Sequence, residues 1–348
     1  MLYVTTRSNK DAFTAQKVLS QKRAADGGLF IPFREPQFTQ EEMDTLREKA
    51  FSQCVADILN VLFNCRLTAR DVELSAGRYP VRLKKLSQRI LVGECWHNLA
   101  SDFNQLVLSL EKLIRIDEKS EQECGEWIYI GVRIAVLFGI FSELNKSGII
   151  DADSKVDISV VSGDFSTPVS LWYARKWGLP IGNIVCCCNE NGNVWNFICH
   201  GQLRTDGVAK VTAIPDADIV IPESLERLIH AYGGSEEVSR YVDAVRRGGS
   251  YYVDDKILHA LRRGIYVTVN SEHRILSTIP GVFTTHKYLV SPYTALAYAG
   301  LQDYRARTGE NRIALILADR SPICDVSTVA LSMGISVEEV MQWMDQQC

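Results

Sequence analysis

The chain has 348 residues, of which 46% are hydrophobic and 23% charged, with a formal net charge of −4. This length suits about two domains' worth of chain with a sizeable core, and the acidic balance excludes a protein built to neutralise a nucleic-acid backbone. The N-terminal run Met1 to Arg7 lacks an apolar signal core. The most apolar stretch, Ile128 to Phe141, is too short to span a bilayer and carries Arg133. A cytoplasmic protein is therefore expected, with no membrane and no nucleic-acid partner.

Ten cysteines are spread along the chain with no CxxC pair, and no histidine sits at zinc-type spacing from two of them. Cys186, Cys187 and Cys188 are adjacent in an apolar run, so on a strand they alternate between faces and cannot share one metal. Buried reduced thiols and no metal are expected.

In chain order, Thr39-Gln40-Glu41-Glu42 reads as a capping box opening a helix to about Phe63. Ile90-Leu91-Val92 is a short strand, followed by helical spacing from about Leu99 to Ile116. The polar run Asp117 to Glu123 marks a surface connection. Trp127 to Leu144 is apolar nearly all round and predicts a helix buried on several sides. Val156 to Val161 reads as a strand, Thr167 to Trp177 as a helix stopped by Gly178-Leu179-Pro180, and Asn183 to Cys188 as the next strand. Such a strand–helix–strand unit is a parallel crossover. A helix from Pro292 to Arg307, a strand from Arg312 to Leu317 and a capping box at Ser336 to Glu339 complete the pattern. The class is α/β, with a mostly parallel sheet flanked by helices. Ligands of such sheets sit at the carboxyl ends of strands, which points to Gly163–Thr167, Asn189–Asn193 and Ala318–Ser321. Asp151 to Asp157 begins like a calcium loop but lacks the glycine and glutamate that such a loop needs.

Several segments resemble the threonine synthase family, pyridoxal-phosphate (PLP) enzymes of fold type II. They are Tyr3-Val4-Thr5-Thr6-Arg7, Asp26-Gly27-Gly28-Leu29-Phe30-Ile31-Pro32, Val160 to Asn191, Ile219 to Gly233 and Tyr288 to Ala299. The resemblance implies the large domain of a fold-type-II PLP enzyme. It also implies where that chemistry has been lost. The family's catalytic lysine segment corresponds to Glu94-Cys95-Trp96-His97-Asn98-Leu99-Ala100-Ser101-Asp102-Phe103, and Ser101 falls where the lysine would be. The family's phosphate loop corresponds to Gly163-Asp164-Phe165-Ser166, where Asp164 brings a carboxylate to the phosphate position. Asp319-Arg320-Ser321-Pro322 replaces the segment that faces the pyridine nitrogen, and Ser291-Pro292-Tyr293 replaces a further family motif. Too few residues separate Phe103 from Trp127 to form the family's small mobile lobe.

The expected organisation is an N-terminal segment over 1–103, a short connection over 104–126 in place of the small domain, and an α/β region over 127–348 that folds with the first. No cofactor is expected, since the anchors of the family's PLP are replaced. The candidate remnant-cleft residues are His97, Ser101, Asp102, Gly163, Asp164, Phe165, Ser166, Asn189, Glu190, Asn191, Asp319 and Ser321. A small anionic or amino-acid-like ligand could bind there, or a protein partner could cover the face left open by the missing lobe. The alternatives are an enzyme with altered chemistry using Asp164, Asp319, His97 or Ser101, and an active PLP enzyme using a displaced lysine such as Lys112. Asn189 to Asn191 could equally be a loop held by its own hydrogen bonds.

Overall fold

The structure is a computed structural model that describes residues 1–77, 81–96, 101–115, 125–152 and 154–347. His97, the polar run 117–123 and Asp153 lie outside the described residues.

The chain begins with a small antiparallel sheet of β1 (Leu2–Thr5), β2 (Phe13–Thr14) and β3 (Phe30–Pro32), with α1 (Ala15–Leu19) following β2. The two N-terminal motifs fasten this sheet. Thr5 donates to Asp26 at 2.6 Å, and the Leu29 amide donates to Thr6 at 3.0 Å. Gly27 turns at φ +74°, and a side chain on Gly28 would come within 2.9 Å of both Asp26 and Thr5. These motif residues are structural.

The single helix expected from Thr39 to Phe63 is two, α2 (Gln40–Glu48) and α3 (Phe51–Phe63). Lys49 and Ala50 are extended, and the break is held by Ser142 donating to the Lys49 carbonyl and by Lys49 pairing with Asp57. The capping box at Thr39 is as expected, and a second one, Thr68 with Asp71, opens α4 (Ala69–Ala76). A hairpin follows, β4 (Arg82–Ser87) with β5 (Ile90–Glu94). Then α5 (Phe103–Ile114) starts at its Asp102 cap, later than the expected Leu99.

Next comes α6 (Glu126–Lys146), whose 21 residues are long and apolar enough to cross a membrane. Length therefore does not exclude a span here. Burial does, because 89% of its most apolar window is packed inside the fold. The expected crossover follows as β6 (Val156–Val161), α7 (Ser166–Lys176) and β7 (Ile181–Cys188), with β6 and β7 adjacent and parallel. The remainder adds α8 (Asn193–His200), β8 (Gln202–Arg204), α9 (Leu225–Arg247), β9 (Ser250–Tyr252), α10 (Asp255–Arg262) and β10 (Ile265–Val269). The chain closes with α11 (Glu272–His286), α12 (Pro292–Thr308), β11 (Ala314–Ala318), α13 (Val326–Met333) and α14 (Val337–Gln347).

The main sheet runs β10-β7-β6-β11-β5-β4, parallel throughout except for the β4–β5 edge. Cys186 and Cys188 pack into the core on one face of this sheet and Cys187 into the core on the other, as strand alternation requires. Burial pushes the Cys188 thiol up to about 11 and that of Cys187 to about 12, so both stay protonated. Among the described residues no group of three His, Cys, Asp or Glu is arranged to hold a metal ion.

Helix α12 lies so close to β7 that a Cβ on Gly300 would fall 2.1 Å from Cys187 Sγ and 2.6 Å from Thr268 Oγ1. Alanine gains up to about 1 kcal/mol in helix propensity, but the overlap must be relieved by moving packed backbone. Gly300→Ala is expected to lower stability by about 1–3 kcal/mol in denaturant unfolding. An unchanged midpoint would show that α12 can shift.

Candidate functional site

Three strands of the sheet, β5, β6 and β11, end on one side of the fold, and a cavity of about 440 Å³ opens there. Its walls come from the Ser162–Thr167 turn after β6, the Asp319–Arg320 turn after β11, the start of α5, the start of α6, and the segment from Asp216 to Glu223. This volume falls in the ordinary range for small-molecule sites.

Behind the Asp319 carboxylate on this lining lies an ion pair. Arg133, fully buried in α6, donates through both Nη atoms to the two Asp319 oxygens at 2.7 Å. Its guanidinium lies 3.2 Å from the Phe103 ring centroid and also donates to the Tyr129 hydroxyl at 2.9 Å. Tyr293 donates to Asp319 at 3.4 Å. Burial raises the Tyr129 phenol to about 12 and pushes the Tyr293 phenol well above its ordinary range, so both remain hydroxyls.

One wall is the turn into α7. Gly163 and Phe165 have φ of +46° and +72°, and the Phe165 ring is buried in the core rather than turned to the cavity. Between them, Asp164 Oδ1 accepts from the Ser166 amide at 3.0 Å and the Ser166 hydroxyl at 2.6 Å. The carboxylate thus occupies a helix-terminal amide that would otherwise be available to an anion. Its main-chain carbonyl accepts from Ser224 at 3.0 Å.

Beside this turn, linked to it through Ser224, stands Glu126 at the start of α6. Arg227 Nη1 stands 3.0 Å from its Oε2, and Ser224 donates to its Oε1. Desolvation outweighs Arg227, and Asp164 and Glu223 add repulsion, so the Glu126 carboxyl is raised to about 7. Arg320 spans the rim, 2.8 Å from Asp325 and 3.8 Å from Asp102.

Of the residues expected at the cleft, Asp102, Gly163, Asp164, Ser166 and Asp319 line this cavity together. Ser101 does not: it is 3% exposed, and its carbonyl accepts from the Ser321 amide at 3.3 Å. Ser321 is fully buried and caps the short turn after Pro322. Asn189, Glu190 and Asn191 are also absent from the lining. Asn189 donates to Asp218 at 2.7 Å and Thr212 at 2.9 Å, Asn191 donates to Asp218 at 2.9 Å, and Glu190 pairs with Lys210. This is a loop held by its own hydrogen bonds, and the cavity lies at the ends of β6 and β11 rather than of β7. Lys112 is exposed on α5 and does not line the cavity, whereas Lys22 does.

Sequence reasoning passed over Glu126, Arg133, Tyr129, Asp216, Glu223 and Lys22 as site residues. One signal was present: an arginine in an otherwise apolar helix needs a buried partner. Among the described residues the lining carries six carboxylates, those of Asp102, Glu126, Asp164, Asp216, Glu223 and Asp319, against Lys22 and Arg320. A small anion, one of the ligands expected from sequence, is poorly matched to that balance.

Residues 2–76 match the family model described as the threonine synthase N terminus. A 161-residue stretch is 26% identical to human threonine synthase-like 1, covering 45% of this chain but only 22% of that protein. The chain therefore spans about a fifth of the length of that curated relative. Threonine synthase from Schizosaccharomyces pombe is 25% identical over 419 residues, covering 84% of this chain and 82% of the relative. Among solved structures, PLP-bound threonine synthase from Brucella melitensis superposes with a TM-score of 0.84 at 18% identity, covering 96% of this chain and 92% of that one. The mostly parallel sheet flanked by helices is thus the fold of the type-II PLP enzymes. Over its N-terminal residues the chain is similar to the threonine synthases, and its fold is the one they have.

Proposed function

We propose that this homologue has lost the family's Schiff-base chemistry and works by binding a small ligand in the cavity at the ends of β6 and β11. The observation that carries this reading is Asp164, whose carboxylate caps α7 in the turn that resembles the family's phosphate loop. At about 4 Å, one carboxylate repels each unit of phosphate charge by about 4 kcal/mol at an effective dielectric near 20. The second PLP anchor fits no better. Asp319, in the segment that resembles the one facing the pyridine nitrogen, is engaged on both oxygens by Arg133. The third is Ser101, whose side chain cannot form an imine and does not line the cavity. The residues present therefore do not fit PLP, and no step is derived through it.

A missing lobe agrees with this reading. The match to the S. pombe enzyme runs over 419 residues yet uses only 84% of this 348-residue chain. That longer aligned stretch of the relative supports the reading of a chain without the lobe. A site without a closing lobe cannot exclude water by that route. A protein partner on the face so uncovered is the second binding role we propose.

The test is threonine formation by purified protein supplied with PLP, under conditions in which the S. pombe enzyme is active. The expected rate is that of the blank. Turnover dependent on protein and PLP would overturn the proposal.

A further inference from the structure

We infer that the cavity takes a small uncharged ligand by a carbonyl oxygen, held by the phenol protons of Tyr129 and Tyr293. This ligand class rests on the binding role proposed above. Tyr129 stands in the first turn of α6 and Tyr293 in the first turn of α12, and both line the cavity. Both rings are partly buried, and that burial keeps the phenols protonated, so each brings a hydrogen-bond donor.

Neither proton is well used inside the fold. Arg133 has donors only, so the Tyr129 oxygen accepts from its Nη2 at 2.9 Å and turns the phenol proton elsewhere. Among the described residues the other contact is Thr167 Oγ1 at 3.3 Å, longer than the roughly 2.5–3.0 Å of an ordinary bond between oxygens. If Thr167 is the donor there, the Tyr129 proton has no described partner. The Tyr293 proton reaches Asp319 Oδ2 only at 3.4 Å, and that oxygen already accepts from Arg133 at 2.7 Å. The two phenols bear on one another electrostatically, which makes them neighbours in the cavity. A buried donor left poorly satisfied is costly, and a ligand oxygen at bonding distance relieves it.

Charge sets the class of acceptor. Arg133, the cation that bonds Tyr129, is matched by Asp319 through both oxygens, so this wall offers no net charge to an anion or a cation. Phe103, Tyr129 and Tyr293 put three rings in the lining, together with Val161 and Ile219, and suit a flat apolar body behind the carbonyl.

The experiment titrates benzamide, benzoate, benzylamine and toluene against the purified protein by NMR. They share one ring and differ in the head group: a neutral acceptor, an anion, a cation and no polar group. Tyr129→Phe and Tyr293→Phe each remove one hydroxyl and keep the ring. Benzamide is expected to bind the wild type roughly tenfold more tightly than the other three compounds, and several-fold more tightly than it binds either variant. Equal affinity for benzamide and toluene would overturn the inference without any variant having to fold. So would preferred binding of benzoate or benzylamine, benzamide binding unchanged in both variants, or no benzamide binding. Threonine formation uses none of these probes, so the loss of Schiff-base chemistry is judged separately.

Discussion

Replacing Arg133 with methionine is expected to lower unfolding free energy by about 3–5 kcal/mol. The arginine is fully buried, and its loss leaves Asp319, itself only 6% exposed, without its bidentate partner. Among the described residues, a carboxylate in that setting retains only the weak 3.4 Å side-chain contact with Tyr293. The stack on Phe103 and the bond to Tyr129 go with the guanidinium. The double variant Arg133→Met with Asp319→Leu removes both charges. Because desolvating a buried pair offsets much of its attraction, the double variant is expected to recover most of the loss. Denaturant unfolding of the single and double variants checks this. A single-variant loss below about 1 kcal/mol would mean that Asp319 finds water or another donor.

The second large effect is on pH dependence, through Glu126. Its carboxyl titrates near 7 in the folded chain rather than at its ordinary value of about 4.5, because burial disfavours the anion more than Arg227 favours it. Arg227, Ser224, Asp164 and Glu223 are the groups that bear on it. The folded state therefore holds a proton on Glu126 that the unfolded state releases between these values. Its stabilising contribution is fully present below about 4.5 and is lost as pH rises through about 7. The contribution amounts to about 3 kcal/mol as an upper figure, since the side chain is only 9% exposed. Glu126→Gln is expected to flatten the fall in stability between pH 5 and pH 8 (roughly the two values) relative to the wild type. Parallel stability curves for the two proteins would place the carboxyl in solvent instead.

The parts of this fold that could be read along the chain are those whose causes are local. The β6–α7–β7 unit declares itself through a continuous apolar run, a helix stop at Gly178-Leu179-Pro180 and a second apolar run, and the strands are paired as read. The capping boxes at Thr39 and Ser336 depend on four consecutive residues and are formed. The break at Lys49 was hidden, because the apolar spacing continues across it. It is imposed by a partner far away in sequence, Ser142 on α6. The sheet order was equally hidden: Ile90 pairs with Ala314, and no local pattern encodes that long-range choice.

The candidate site divides in the same way. Asp164 and Asp319 were legible through a motif resemblance, and both line the cavity. Arg133 was visible as an oddity in an apolar helix and Asp319 as a replaced motif residue. Nothing in the sequence joined them, although they form a buried ion pair whose carboxylate lines the cavity. Glu126, Glu223 and Lys22 come from three separate connections and acquire meaning only when the fold gathers them. Asn189 to Asn191 illustrate the opposite error. Their position at a strand end is right, but Asp218 and Thr212 take up their polar groups.

The central claim is that this cleft no longer holds PLP through an imine. The direct measurement is absorbance of the purified protein titrated with PLP, then borohydride reduction and intact mass. The account expects a spectrum equal to the sum of protein and free PLP, with an unchanged mass. A single stoichiometric pyridoxyl adduct, mapped to Lys22, the lysine that lines the cavity among the described residues, would contradict it.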